Sequence, residues 1–168
     1  SKTMALRNYE MKFSARVQKK AMGWVVRAAG RDNYYVFKLA DRGRAPNGRR
    51  FELVRYPVLD GRSPSPKELQ TVPLVIRAAD NSFLDISVRV TEDQILTTIN
   101  GFGVDAWKHP KLKTGGVGFL AENGESFLVR SLTISGNEDP LGLILYGAEQ
   151  TLRSVRHNLM SLAASRVR

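Results

Sequence analysis

Apolar and polar residues alternate strictly along much of the first 136 residues. Between Tyr9 and Val17 every odd position is apolar, whereas the even positions carry Glu, Lys, Ser and Arg. A period of two predicts a β-strand with one buried face and one polar face. Similar strand signals recur along the chain. The predicted strands are residues 9–17, 22–29, 33–40, 50–58, 74–78, 84–90, 95–99, 102–108, 116–121 and 127–135.

Turn residues separate these strands, and no helical pattern lies between them. Asn100-Gly101 is the strongest hairpin signal, because a type I′ turn needs positive φ at both central positions. Gly30-Arg31-Asp32 also suits a tight hairpin, and residues 59–72 predict a long surface loop. Many short strands joined by turns predict an all-β sandwich or jelly roll. Trp24 and Trp107 are expected in its core.

The periodicity changes after residue 136, where apolar residues recur every three or four positions over about six helical turns. We therefore divide the chain into a β-sandwich, residues 1–136, and an amphipathic C-terminal helix, residues 137–168. A lone helix cannot cover its own apolar stripe. It can pack on its own sandwich, pair with another chain, or lie on a membrane surface. The residues predicted to dock are Leu145, Leu152, Val155 and Leu159.

Charge bears on the partners rather than on the fold. The 26 Lys and Arg residues exceed the 16 Asp and Glu residues, which gives a net charge of +10 and favours acidic partners. A basic, turn-rich loop is predicted between the third and fourth strands. Its predicted polyanion-binding residues are Arg42, Arg44, Arg49 and Arg50. Few aromatic residues accompany them, so nucleic acid is an unfavoured partner.

A polar sheet face offers a second candidate site. Four polar residues are predicted to project outward from three strands that we expect to be neighbours. They are Arg16, Arg27, Tyr34 and Lys38. Arginine can donate paired hydrogen bonds to sugar hydroxyls or carboxylates, and an aromatic ring can stack on a sugar face. These four residues are the predicted ligand-binding set. The alternative is an ordinary solvated face with cross-strand pairs.

A series of short segments in a fixed order carries a family resemblance. They are residues 24–29 (WVVRAA), 32–35 (DNYY), 38–39 (KL), 53–58 (LVRYPV), 86–90 (ISVRV), 99–101 (ING), 104–107 (VDAW) and 115–119 (GGVGF). With the strands between them they resemble bacterial concanavalin A-like domains of the 3-keto-disaccharide hydrolase or exo-inulinase-like type. The resemblance implies a concanavalin A-like jelly roll that binds glycans in several branches, although fold alone does not fix function. It also implies additional strands before Asn8, supplied upstream or by another chain.

The sequence favours binding over catalysis. The related glycosidases carry Glu-x-Asp-x-Glu on one strand, and this chain has no such run. Glu10 and Asp85 lie on outward strand faces, where a cross-strand acid pair is possible but a basic partner is favoured. His109 and His157 are too far apart in the sequence to suggest a metal site. We expect no metal and no cofactor.

Three hypotheses follow from these observations. The first is a non-catalytic glycan-binding or protein-binding module whose helix serves for docking or homo-oligomer formation. The alternatives are a glycoside hydrolase of the 3-keto-disaccharide type and a structural subunit of a larger bacterial assembly. Cysteine is absent, which leaves the compartment open. We slightly favour the cell envelope or secretion over the cytoplasm.

Overall fold

The computed structural model describes residues 6–79, 81–122 and 124–136. These residues form two antiparallel sheets of five strands each, in the orders β10-β1-β6-β7-β8 (the first sheet) and β5-β4-β3-β2-β9 (the second sheet). The strands are β1 (Tyr9–Lys19), β2 (Ala21–Ala28), β3 (Tyr34–Ala45), β4 (Gly48–Val58), β5 (Gln70–Ile76), β6 (Leu84–Thr91), β7 (Gln94–Ile99), β8 (Phe102–Lys108), β9 (Gly116–Leu120) and β10 (Ser126–Gly136). The predicted C-terminal helix, with its docking residues Leu145, Leu152, Val155 and Leu159, lies outside the described residues.

Each of the ten predicted strands overlaps an observed one, although β5 spans Gln70–Ile76 instead of 74–78 and so includes the end of the predicted loop 59–72. Apolar side chains on alternate positions of the central strands meet between the two sheets. Trp24 and Phe37 are fully buried and stack at a centroid distance of 5.8 Å, while Phe13 of the opposite sheet meets Trp24 edge-on at 5.6 Å. Aromatic pairs at these separations add to the stability that burial of their surface gives. The Asn100-Gly101 turn has positive φ at both residues, 51° and 81°, as a type I′ turn requires.

The predicted outward orientation of Arg27 is wrong, because a β-bulge turns this residue toward the core. Val25 pairs with Gly118 and Ala28 with Gly116, so two residues of β2 stand opposite one residue of β9. Arg27 adopts a φ of 51° and is only 1% exposed. A strict period of two cannot reveal such an inserted residue.

The buried Arg27 side chain links the two sheets through main-chain oxygens. Its Nη2 donates to the carbonyl oxygen of Arg7, 3.2 Å away, and to that of Glu92 in the β6–β7 turn. Its own amide donates to the Tyr9 hydroxyl at 3.2 Å. Burial lowers the pKa of the guanidinium and raises that of the Tyr9 phenol. Buried Arg27 therefore holds main-chain segments together inside the sandwich.

The predicted loop from Arg42 to Arg50 is also wrong, since most of it is a β-hairpin. β3 continues to Ala45, and β4 begins at Gly48, which leaves a two-residue turn of Pro46 and Asn47. The many basic residues of this segment obscured the alternation of apolar and polar positions, so the sequence pattern predicted a loop. A register shift between Asp41 and Arg44 interrupts the pairing with β4 and broke the alternation further.

Candidate functional site

A groove of about 530 Å³ lies on the outer face of the first sheet. We call it the sheet-one groove. Hydroxyl and charged side chains from four neighbouring strands make up most of its lining. They are Glu10, Lys12 and Ser14 of β1; Asp85, Ser87 and Arg89 of β6; Thr98 of β7; and Ser131 and Thr133 of β10.

Strand register places these side chains in rows across the sheet. Lys12 pairs with Thr133 on one side and with Ser87 on the other, and Ser87 pairs with Thr98. Residues directly opposite one another on one sheet face are close enough to interact. The central row therefore presents three hydroxyl groups and an ammonium group side by side.

Glu10 is the centre of the polar network in the groove. Its carboxylate lies 2.9 Å from the Lys12 Nζ and 3.5 Å from Arg89 Nη2, and it accepts a 2.8 Å hydrogen bond from the Ser87 hydroxyl. The hydrogen bonds from Lys12 and Ser87 lower the pKa of the Glu10 carboxyl. The Glu10 side chain is 19% exposed, whereas Lys12 and Arg89 are each 60% exposed. A fixed anionic acceptor is thus flanked by two accessible cationic donors.

One end of the groove carries a cationic and aromatic cluster. The guanidinium groups of Arg16 and Arg130 lie over the Phe83 ring, 5.3 Å and 4.7 Å from its centroid. Arg130 also donates a 3.0 Å hydrogen bond to the hydroxyl of Ser14, which lines the groove. Stacking on the ring restrains both guanidinium groups beside the groove.

The structure does not bring together the four residues of the predicted ligand-binding set. Arg16 lies in β1 of the first sheet, beside the sheet-one groove, whereas β2 and β3 belong to the second sheet. Arg27 is buried, as described above. Tyr34 and Lys38 share the outer side of β3 in the second sheet. The expectation that these three strands are neighbours is therefore wrong for β1.

Lys38 is engaged on the outer face of the second sheet. Its Nζ lies 2.6 Å from Glu122 and 2.8 Å from Glu125, and its side chain is only 12% exposed. Burial lowers the pKa of Lys38, but the two carboxylates outweigh it and hold the pKa above its ordinary value. Tyr34 is half-buried on the same strand. Their part in ligand binding stays a prediction.

The predicted polyanion-binding arginines stand on the β3–β4 hairpin, partly neutralised by acids. Arg42 forms a 2.5 Å ion pair with Glu52, and Arg49 pairs with Asp41. Arg44 and Arg50 are exposed on the same hairpin. Acidic neighbours weaken the local positive potential, and the part of these arginines in polyanion binding stays a prediction.

The two outward carboxylates do not form an acid pair. Glu10 of β1 pairs with Arg89 of β6, whereas Asp85 of β6 pairs with Ser14 of β1. Glu10 and Ser14 are four residues apart on one strand, so the two rows are separated by about 13 Å. The basic partner expected for Glu10 is confirmed in Lys12. Within the described residues, no group of three His, Cys, Asp or Glu side chains could hold a metal ion.

Sequence reasoning missed most of the groove. Ser87, Arg89, Thr98, Ser131 and Thr133 all occupy outward positions of predicted strands, so their polarity was the available signal. What the pattern could not supply was the strand order, because β10 and β6 flank β1 without being adjacent to it in the sequence. Alternation assigns a residue to a face but does not identify its neighbours.

Solved structures with similar folds include galectins and a carbohydrate-binding module. The carbohydrate-binding module CBM66 from Bacillus subtilis is 9% identical with a TM-score of 0.58, over 79% of this chain and 77% of that one. The sheep galectin-11 complex with glycerol is 11% identical with a TM-score of 0.55, over 78% and 94%. CG-16, a homodimeric agglutinin from chicken liver, is 9% identical with a TM-score of 0.53, over 79% and 96%.

These likenesses define the architecture. The chain has a lectin-type β-sandwich fold. No family model matches the sequence, and no curated protein matches it either. The finer resemblance to 3-keto-disaccharide hydrolase-type domains stays a prediction. No helix that could span a membrane occurs among the described residues.

Proposed function

We propose that this chain is a non-catalytic glycan-binding module and that the sheet-one groove holds the sugar. The observation that carries the proposal is the Glu10 network, in which a fixed carboxylate stands between two accessible cationic donors and a row of hydroxyls. Carboxylate and guanidinium groups that are already oriented can bond adjacent sugar hydroxyls with little loss of conformational entropy. The carbohydrate-binding module and galectins of similar fold support the same function.

Charge balance in the groove favours neutral glycans over acidic ones. Among the residues that line the groove, two anionic side chains, Glu10 and Asp85, stand against two cationic ones, Lys12 and Arg89. The two arginines stacked on Phe83 lie beside this lining, at one end of the groove. An acidic sugar would meet the Glu10 carboxylate, and like charges at short range are unfavourable. The excess positive charge of the chain as a whole therefore does not define the ligand of this groove.

A panel of immobilised neutral oligosaccharides tests the proposal with two matched variants. Glu10→Gln keeps the shape of the groove but removes its central anion, whereas Glu52→Gln removes an ion-paired carboxylate from the second sheet. We expect the wild type and Glu52→Gln to bind the same oligosaccharides, and Glu10→Gln to bind them at least about tenfold more weakly. Equal binding by the three proteins, or none by the wild type to any sugar, would refute the proposal.

Hydrolysis of a glycosidic bond is the alternative activity, and the spacing of the carboxylates weighs against it. Inverting glycosidases hold their two carboxyl groups about 6.5–9.5 Å apart, and retaining enzymes hold them closer. The rows of Glu10 and Asp85 are farther apart, and Glu10 is restrained by Lys12 and Ser87. Release of reducing sugar from the bound oligosaccharides, lost in Asp85→Asn, would favour the hydrolase instead.

The C-terminal segment adds a docking role to the proposal. We assign its predicted apolar stripe, including Leu145 and Leu152, to contact with a partner protein in a bacterial assembly. This role predicts that the full chain captures a partner protein in a pull-down and that a Leu145→Lys variant does not capture that protein. Unchanged capture by that variant would remove it and leave the glycan proposal unaffected.

A further inference from the structure

β10 is an edge strand with an apolar, exposed surface. Among the described strands it pairs only with β1, so the backbone amides and carbonyls on its other side have no strand partner. Leu128, Val129 and Leu132 of this strand are 41%, 37% and 45% exposed. Unpaired main-chain groups beside exposed apolar side chains favour pairing with a further strand.

The other three sheet edges carry features that oppose such pairing, and β10 carries fewer of them. β5 is seven residues long and contains Pro73, which lacks an amide donor. β8 is equally short, has a register shift against β7, and includes Asp105 and Lys108. β9 has only five residues. β10 has eleven residues and no proline.

The second half of β10 is regular and uncharged. Ser131–Gly136 pair in continuous register with β1, while the register shift lies before Ser131. The one charged residue of the strand, Arg130, is turned onto its own subunit, where it bonds Ser14 and covers Phe83. Two copies of a chain with net charge +10 repel each other, and this repulsion is weakest where the contacting segments carry no charge.

We propose that Ser131–Gly136 of β10 pair antiparallel with the same segment of a second copy of this chain. The partner must offer a strand, because only extended backbone can satisfy a row of amides and carbonyls. A second β10 offers one with the same exposed side chain, Leu132, and a two-fold axis makes the contact self-complementary. Six paired residues form a small interface, so we expect a reversible dimer with a dissociation constant of about 1–100 µM.

The geometry of such a dimer bears on glycan binding. A two-fold axis that makes the strands antiparallel is perpendicular to the sheet, so both first sheets keep the same face outward. Ser131 and Thr133 of β10 line the sheet-one groove, which places the two grooves on one continuous surface. This consequence, unlike the dimer itself, rests on the proposed function: the dimer would bind a surface glycan with two sites at once.

Sedimentation velocity of the full chain between about 1 and 200 µM tests the dimer. Leu132→Lys places a charge on the proposed contact, and Val75→Lys makes the same change on the edge strand β5, where Val75 is 61% exposed. We expect wild type and Val75→Lys to shift from one chain to two as concentration rises, and Leu132→Lys to remain a single chain. Circular dichroism and thermal unfolding establish that both variants are folded.

Two further measurements separate β10 from other contacts. In the wild type, amide exchange of residues 131–136 slows at dimeric concentrations, whereas exchange in β5 does not. Leu152→Lys, in the C-terminal segment, leaves the dimer intact. A wild type that remains a single chain at all concentrations, a dimer that survives Leu132→Lys, or one that is lost equally in Val75→Lys or Leu152→Lys would overturn the proposal. These readouts involve no glycan, so they are independent of the proposed function.

Discussion

Arg55 and Asp105 form an ion pair inside the sandwich, with Arg55 Nε 3.0 Å from Asp105 Oδ2. The two residues belong to opposite sheets, and their side chains are only 11% and 5% exposed. The Arg55 guanidinium also lies over the Trp107 ring, 5.1 Å from its centroid. Burial lowers the pKa of Arg55 and raises that of Asp105, although each partner opposes the shift in the other.

Breaking this pair from one side is expected to destabilise the fold strongly. Asp105→Ala leaves the buried Arg55 charge without its counter-ion, which costs about 3–5 kcal/mol. Glu52→Ala is the matched control, because it removes the carboxylate of the exposed Arg42–Glu52 pair, where we expect a loss of about 1 kcal/mol or less. Urea unfolding monitored by tryptophan fluorescence gives both free energies.

The double variant Arg55→Met/Asp105→Ala separates charge from packing. Because it removes the uncompensated charge, we expect it to be more stable than Asp105→Ala alone. A double variant less stable than the single one would show that the buried charge is not the source of the loss.

His109 makes the stability of the fold depend on pH below neutrality. Its Nδ1 lies 2.8 Å from the Tyr35 hydroxyl, which also accepts a 2.7 Å hydrogen bond from the Leu112 amide. The Tyr35 hydroxyl must therefore donate to Nδ1 or to the His109 carbonyl oxygen, and protonation of Nδ1 removes the first choice. Burial and the neighbouring Lys111 lower the pKa of His109.

The sign of this dependence follows from proton linkage. Below pH 6.5, the ordinary value for histidine, the unfolded chain binds a proton that the folded protein excludes until its own lower pKa is reached. Stability is therefore fully present above pH 6.5 and falls as the pH drops through this window. We expect the urea midpoint to decline between about pH 7 and 5.5 in the wild type and to decline less in His109→Gln. Identical slopes would contradict the assignment.

Glycan binding is expected to resist mild acid. Lys12 and Ser87 hold the pKa of Glu10 below the ordinary value of 4.5, so the carboxylate stays ionised as the pH falls from 7 to 5. Affinity for the best oligosaccharide of the panel should be constant over that range and decline only below about pH 4.5. The weak binding of Glu10→Gln should not change with pH. An affinity of the wild type that is halved between pH 7 and 6 would assign the pH response to another group.

Gly115 is expected to be essential for the bulge that buries Arg27. Its φ is 154°, and an added Cβ would lie 2.4 Å from the Arg27 carbonyl carbon and 2.7 Å from backbone atoms of Ala28. Gly115→Ala should therefore cost about 2–3 kcal/mol through strain and forced movement of β2. Gly103→Ala is the control, since an added Cβ there meets nothing within 4 Å. Equal stability of the two variants would mean that β2 and β9 can separate without cost.

The strands could be predicted from the sequence because alternation depends on one local variable, the face to which a side chain points. Trp24 and Phe37 accordingly lie in the core. Arg27 could not be predicted, because a single inserted residue reverses the alternation without changing its composition. The Arg55–Asp105 pair was also hidden, since charged residues are normally expected at the surface. The sheet-one groove depends on strands that are distant in the sequence, and no local pattern encodes their order.

Chemical-shift mapping of the amides, during titration with the best oligosaccharide of the panel, shows which sheet face binds the sugar. We expect shifts concentrated at Glu10, Lys12, Ser87, Arg89 and Thr98, with the outer positions Tyr34 and Lys38 of the second sheet unchanged. Shifts concentrated at Tyr34 and Lys38, with the groove residues unchanged, would contradict this expectation.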